Sequence, residues 1–166
     1  MDYAIEKGIT FFDTAEIYAR GNSERILGAA LVGHRSGAYV ATKLWPLHPL
    51  RRQVVPALRR SLARLGMEKA DLYQLHWPVF ALTPEEVLEP MARLVEQGKV
   101  RYFGECNYSS WRLAETNMVA GHRGLPRMVS AQHNYNIFSR QVELEIFPYC
   151  DQRDVGFLPY SPLGGG

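Results

Sequence analysis

The sequence has 166 residues, of which 46% are hydrophobic, 22% charged and 11% aromatic, and its 19 basic and 17 acidic side chains leave a formal net charge of +2. That balance excludes a disordered chain and carries no electrostatic footprint for nucleic acid. No apolar run approaches the ~18 residues of a membrane span, and the opening Met1-Asp2-Tyr3-Ala4-Ile5-Glu6-Lys7 lacks the apolar stretch of a secretion signal.

Two cysteines, Cys106 and Cys150, are too few for a disulfide framework and suit a reducing compartment. A cytoplasmic protein without nucleic-acid or membrane partners is expected. In chain order, short apolar runs alternate with amphipathic stretches. The chain opens within a helical pattern, and Ile9-Thr10-Phe11-Phe12 follows as a strand, nearly continuous in apolar and β-forming residues. Gly21-Asn22-Ser23-Glu24 then starts a helix with Asn22 or Ser23 as cap, Ile26, Leu27, Ala30 and Leu31 as apolar face, and Gly33 as end. Ala38–Ala41 is the second strand. Val54, Val55, Leu58, Leu62 and Leu65 line the next helix, which ends at Gly66. On its other side Arg51, Arg52, Arg59 and Arg60 form a solvated face rather than a nucleic-acid patch.

Asp71–Leu75 is the third strand. Thr83-Pro84-Glu85-Glu86 is a capping box with proline at the first helical position, and Gly98 closes that helix. Pro90 inside it predicts a kink. Arg101–Phe103, Met128–Ala131 and Gly156–Pro159 are three further strands, with helices over Ser110 to about Ala120 and Gln141 to about Arg153 between them. No linker or break in composition divides residues 1–166, so one domain is expected.

Strand alternating with helix implies βαβ units and a parallel sheet. A doubly wound dinucleotide-binding sheet should carry a G-x-G-x-x-G fingerprint after a strand, and none is present. The alternative is the (β/α)8 barrel, whose active site gathers at the C-terminal strand ends. About six βα units can be read against the eight of a complete barrel. The expected fold is therefore α/β, a partial (β/α)8 barrel lacking the first strand and the last unit or units.

Polar side chains stand where each strand stops: Asp13, Lys43, His76, Asn107, Gln132 and Tyr160. The steps from Asp13 to Lys43, His76 and Asn107 are 30, 33 and 31 residues, about one βα unit each. All six should therefore project toward one end of the sheet. Tyr18 lies on the loop after Asp13. A phenol is a poor acid at neutral pH, and an adjacent ammonium held by a carboxylate makes it a better one. With a histidine to orient the substrate oxygen, Asp, Lys, Tyr and His make a general-acid site aimed at an oxygen gaining negative charge. Carbonyl reduction fits that chemistry, and the hydride must come from a nicotinamide cofactor, because no side chain donates one.

The segments GITFFDTAEIYARGNSERILGAAL, ATKLWP, DLYQLHWP and FLPYSPL strongly resemble the aldo-keto reductases, especially the branch that includes potassium-channel β subunits and bacterial general-stress-type reductases. The resemblance extends over essentially the whole chain. It implies that Asp13, Tyr18, Lys43 and His76 are the catalytic residues, with Tyr18 the proton donor. It implies further that Asn107 and Gln132 hold the nicotinamide carboxamide, that Tyr160 stacks on the ring, and that Ser161 and Leu163 begin the loop receiving the pyrophosphate. Trp45 and Trp77 stand where the family lines its substrate pocket. The implied cofactor is NADP(H), with NAD(H) left open because the loop that grips the adenosine phosphate is not in the sequence. The implied partner is a small-molecule carbonyl compound.

Where the family often has Gly-Val-Ser-Asn, this chain has Gly104-Glu105-Cys106-Asn107. Cys106 replaces a hydroxyl, which should weaken one carboxamide contact, and no neighbouring histidine or cysteine gives it a metal role. His34, His48, His122 and His133 are expected at the surface. An oxidoreductase is the leading expectation. A cofactor-dependent regulatory subunit of the channel β type and an inactive partial barrel are the alternatives, the last prone to self-association through exposed sheet edges.

Overall fold

The structure, a computed structural model, describes residues 2–45, 53–79 and 81–165. His48, Arg51 and Arg52 lie outside the described residues. Six strands, β1 (Phe11–Asp13), β2 (Tyr39–Leu44), β3 (Ala70–Leu75), β4 (Val100–Cys106), β5 (Ser130–Asn134) and β6 (Gly156–Tyr160), form one parallel sheet in sequence order. Helix α1 (Asp2–Glu6) precedes β1, and α2 (Asn22–Ala30), α3 (Val54–Leu65), α4 (Pro84–Glu96), α5 (Ser110–His122) and α6 (Ile146–Arg153) separate the strands. This is a curled partial (β/α)8 barrel, and a doubly wound order is absent. β1 and β6 end the sheet.

Register assigns the two faces. Phe11 pairs with Tyr39, Ala41 with Leu72, Leu72 with Tyr102, Cys106 with Gln132 and Asn134 with Tyr160. Because side chains alternate along a strand, Asp13, Lys43, Gln74, Cys106, Gln132 and Tyr160 share the concave face. Val40, Tyr73, Phe103, Glu105, Ala131 and His133 point the other way, into the layer covered by helices. There Tyr73, Phe103 and Ala131 join Leu58, Leu88, Met91 and Leu113 in the main core, while Phe12, Leu27, Leu31, Val40 and Leu65 form a second cluster. Burying each such large side chain contributes about 1.5–3 kcal/mol.

The helix boundaries follow from local chemistry. Thr83 and Glu86 make the expected reciprocal cap at the start of α4, with bonds of 2.9 and 3.3 Å. Gly66 ends α3 at φ 62. Pro90 is buried within α4, which continues past it to Glu96.

Several expectations are corrected. α2 is preceded by Gly21, at φ 84, rather than capped by Asn22 or Ser23. The Ser23 hydroxyl instead lies 2.8 Å from that of Thr14. Ile26 is exposed, because the face of α2 that meets α3 is set by Gly28: a Cβ there would stand 2.2 Å from the Leu65 carbonyl oxygen. The segment expected as one helix from Gln141 splits into a 3-10 turn, Gln141–Glu143, and α6. Strand β1 begins at Phe11, two residues later than expected.

Candidate active site

The structure gathers the strand-end residues at the C-terminal end of the sheet. Lys43 is fully buried on β2. Its Nζ donates to Asp13 Oδ2 at 2.5 Å, to the Thr14 carbonyl at 2.9 Å and to the Tyr18 hydroxyl oxygen at 3.5 Å. These three acceptors match the three donors of an ammonium, so the buried charge is satisfied. Tyr18 accepts from Lys43, which leaves its own O–H proton to be donated elsewhere.

The chain reaches Tyr18 through a strained turn. Ala19, Arg20 and Gly21 have φ of 48, 56 and 84° in succession. For the two non-glycine residues this conformation costs about 1–2 kcal/mol each. The turn is held from α2 and α3: fully buried Glu24 accepts from Thr42 Oγ1 at 2.6 Å and from Arg64 Nε at 2.5 Å. The Arg64 side chain lies against Gly21, where a Cβ would meet its Cδ at 2.6 Å.

His76 follows β3. Its ring meets those of Tyr18 and Trp45 edge-on, at centroid distances of 5.5 and 5.3 Å. Burial, then the Lys43 charge, lowers its pKa to about 4. Its Nδ1 is a buried atom without a hydrogen-bond partner among the described residues. The backbone N–H of Trp45 donates to Glu16 Oε1 at 2.8 Å, and Trp77 is exposed beside His76.

The second half of the site lies on β4 to β6. Asn107 sits just past β4 at φ 63. Its N–H donates to the Gln132 carbonyl at 3.0 Å, its Nδ2 to the His76 carbonyl at 3.4 Å, and its Oδ1 accepts from the Tyr160 hydroxyl at 2.9 Å. Gln132 Oε1 accepts from the buried Cys106 thiol at 3.2 Å. Burial pushes that thiol well above its usual range, which makes it inert. Ser161 has φ 52, and its carbonyl accepts from Asn136 Nδ2 at 3.0 Å. Leu163 projects into solvent beyond it. No group of three or more metal-binding side chains occurs among the described residues.

Sequence reasoning misses three buried groups, Glu24, Glu105 and His133, and the half-buried Arg64 that pairs with the first. His34 and His122 are exposed as expected, but His133 is a correction, only 7% exposed. It lies within β5, which runs three residues beyond the expected end at Ala131, on the same face as Glu105. The available signal was strand phase: counting by two from Phe103 places Glu105 on the helix-covered side.

The Aldo/keto reductase family model matches residues 1–166. Methylglyoxal reductase YeaE of Escherichia coli is 36% identical over 166 residues, covering 96% of this chain and 55% of that protein. A probable voltage-gated potassium channel subunit beta of Oryza sativa is 34% identical, over 97% of this chain and 52% of its own. A crystal structure of an aldo/keto reductase from Klebsiella pneumoniae, in complex with NADP and acetate, superposes with TM-score 0.88 at 31% identity, covering 97% of this chain and 56% of that one. The chain thus spans about half the length of the relatives it matches. Matched by the family model throughout, and folded as the corresponding part of a solved reductase, it belongs to the aldo/keto reductase family.

Proposed function

We propose that the protein reduces aldehydes or ketones to alcohols with NADPH, with Tyr18 as general acid. The observation that carries this reading is the buried Lys43 ammonium, held by Asp13 at 2.5 Å and set 3.5 Å from the Tyr18 oxygen. Tyr18 gives its proton to the carbonyl oxygen, and Lys43 stabilises the negative charge left on the phenol oxygen. Asp13 keeps the ammonium charged and in place. His76 is neutral at pH 7, since its pKa lies near 4. It therefore acts as a hydrogen-bond partner that orients the substrate oxygen and does not compete as the acid. Trp45 and Trp77 border the substrate.

The donor set on β4 to β6 fits a nicotinamide. The side-chain amides of Asn107 and Gln132 each offer a donor and an acceptor, as a carboxamide does, and Tyr160 offers a flat ring beside them. Ser161 and Leu163 begin the loop toward the pyrophosphate. When bound, NADPH supplies hydride to the carbonyl carbon. Tyr18→Phe removes one oxygen and should lower turnover of a model aldehyde by about 10²–10⁴. NADPH affinity, read by fluorescence titration, should stay unchanged. Parental turnover would remove Tyr18 from the mechanism.

A second reading concerns the 166 residues by themselves. Phe11, Tyr39 and Tyr102 are 41, 50 and 47% exposed on the concave face, and β1 and β6 leave edges. Such a surface favours association of copies over turnover. Light scattering on the expressed chain tests this, and a monodisperse monomer overturns it. A cofactor-binding regulatory role, of the kind suggested by the rice channel-subunit relative, would instead show NADPH binding without turnover.

A further inference from the structure

Behind the Asn107–Gln132 amides, on the helix-covered side of the sheet, lies an acid–imidazole pair that the proposed chemistry does not use. Glu105 is fully buried on β4, and His133 lies beside it on β5. One carboxyl oxygen, Oε1, is 3.3 Å from His133 Nε2. The other, Oε2, accepts the backbone N–H of Tyr108 at 2.8 Å.

That second bond has a consequence for the concave face. Glu105 precedes Asn107 by two residues and Tyr108 follows it, so the bond closes a tight loop around Asn107. Within the loop Asn107 is held at φ 63, a conformation that asparagine tolerates but does not prefer. In that conformation its two amide atoms reach Tyr160 on β6 and the His76 carbonyl after β3. The carboxylate is suited to this task because each oxygen has a separate partner to satisfy. His133 completes the arrangement, with its ring stacked on Phe157 at 6.1 Å. An apolar residue at position 105 could fill the same volume and would leave the Tyr108 N–H without its acceptor.

We propose that the Glu105–His133 pair is a positioning element for the nicotinamide end of the cofactor, presetting Asn107, and through it Tyr160, from the opposite face of the sheet. This rests on the cofactor reading above. Three variants of the full chain test it. Glu105→Leu with His133→Leu replaces the pair by apolar volume, so neither partner is left as an unpaired charge, but it strands the Tyr108 N–H. Glu105→Gln keeps an acceptor for Tyr108. Asn107→Ala removes the positioned side chain itself.

The readouts are thermal melting without cofactor, NADPH affinity by fluorescence titration, hydrogen exchange at the Tyr108 amide, and KM for NADPH against kcat. The double variant should melt somewhat below the parent, because the buried Tyr108 N–H is left without an acceptor, and bind NADPH about fivefold more weakly, as expected for one lost hydrogen bond. Its KM for NADPH should rise by more than its kcat falls, and the Tyr108 amide should exchange faster. Glu105→Gln should recover most of the affinity and the slow exchange. Should the double variant fail to fold, the Gln variant and the Tyr108 exchange rate still decide the matter. Slow exchange at Tyr108 lost in neither variant, or a Gln variant as weak as the double, overturns the proposal. Parental affinity in the double variant, with Asn107→Ala weakened, overturns the proposal and leaves the cofactor reading standing. Parental affinity in Asn107→Ala overturns both.

Discussion

The two halves of the site are built by different means. On β1 to β3, Asp13, Lys43 and Tyr18 are joined directly, charge to charge and ammonium to phenol, within 3.5 Å. On β4 to β6, Asn107 and Tyr160 meet at a bond of 2.9 Å, but both depend on backbone turns with positive φ and on a carboxylate behind the sheet. Both halves use positive-φ turns, at Ala19–Gly21 and at Asn107 and Ser161, but the first joins its side chains by a buried ion pair and the second by neutral hydrogen bonds. Removing a charge should therefore damage chemistry in the first half, while small changes of hydrogen bonding should damage affinity in the second.

The largest effect is expected at Lys43. Lys43→Met keeps the buried stem and removes the ammonium, so Tyr18 loses its donor and Asp13 its partner. Turnover of a model aldehyde should fall by about 10²–10⁴. NADPH affinity should barely move, because Asn107, Gln132 and Tyr160 are untouched. A variant that loses affinity and keeps its rate would reverse the assignment of the two halves.

The same electrostatics predict a pH dependence. The folded pKa of His76 is about 4, below the ordinary value of 6.5. Between those values the unfolded chain binds the extra proton and the native state does not, so stability rises with pH across the window. As pH falls from about 6.5 toward 4, the His76 contribution is progressively lost. His76→Gln should flatten that part of a stability profile measured by denaturant melts. An unchanged slope would place the cause in another group, and not in Glu105, whose raised pKa gives a slope of the opposite sign.

In both halves the concave face was legible in the sequence and the packing behind it was not, for the same physical reason. Asp13, Lys43 and His76 could be placed because each ends a short apolar strand, and strand phase then fixes the side of the sheet. The packing behind them could not. Glu105 and His133 lie past the apolar runs, where the strands continue in polar residues and the hydrophobic pattern ends too early. Glu24 stands in the first turn of α2, where an acid is common on any helix, and only the fold brings Arg64 to 2.5 Å from it. Gly21 and Ile26 were misjudged for a related reason: the direction α2 faces is set by the contact of Gly28 with Leu65 on another helix, which no local pattern encodes.

A smaller effect separates the halves from the other side. Tyr160→Phe keeps the ring and removes the hydroxyl that donates to Asn107 Oδ1 at 2.9 Å. One such bond contributes about 1 kcal/mol, so NADPH affinity should weaken by about fivefold. The loss in kcat should be smaller than the rise in KM for the cofactor. Equal losses in both would mean that Asn107 acts on the chemistry, through its bond to the His76 carbonyl, rather than on the cofactor.

The smallest effect is expected at Cys106, although this position departs from the family pattern. Its thiol is buried and donates to Gln132 Oε1 at 3.2 Å, so the sulfur already orients the amide that a hydroxyl would orient. Cys106→Ser substitutes a stronger donor on a shorter bond. The stronger hydrogen bond favours the variant, while the shorter reach and the greater cost of burying a hydroxyl oppose it, each by about 1 kcal/mol. The two should nearly cancel, leaving NADPH affinity within about threefold of the parent and the melting temperature slightly lower. Gain of tenfold or more in affinity would show that the thiol holds Gln132 poorly, and the second half of the site would then depend on side-chain donors more than on its backbone turns.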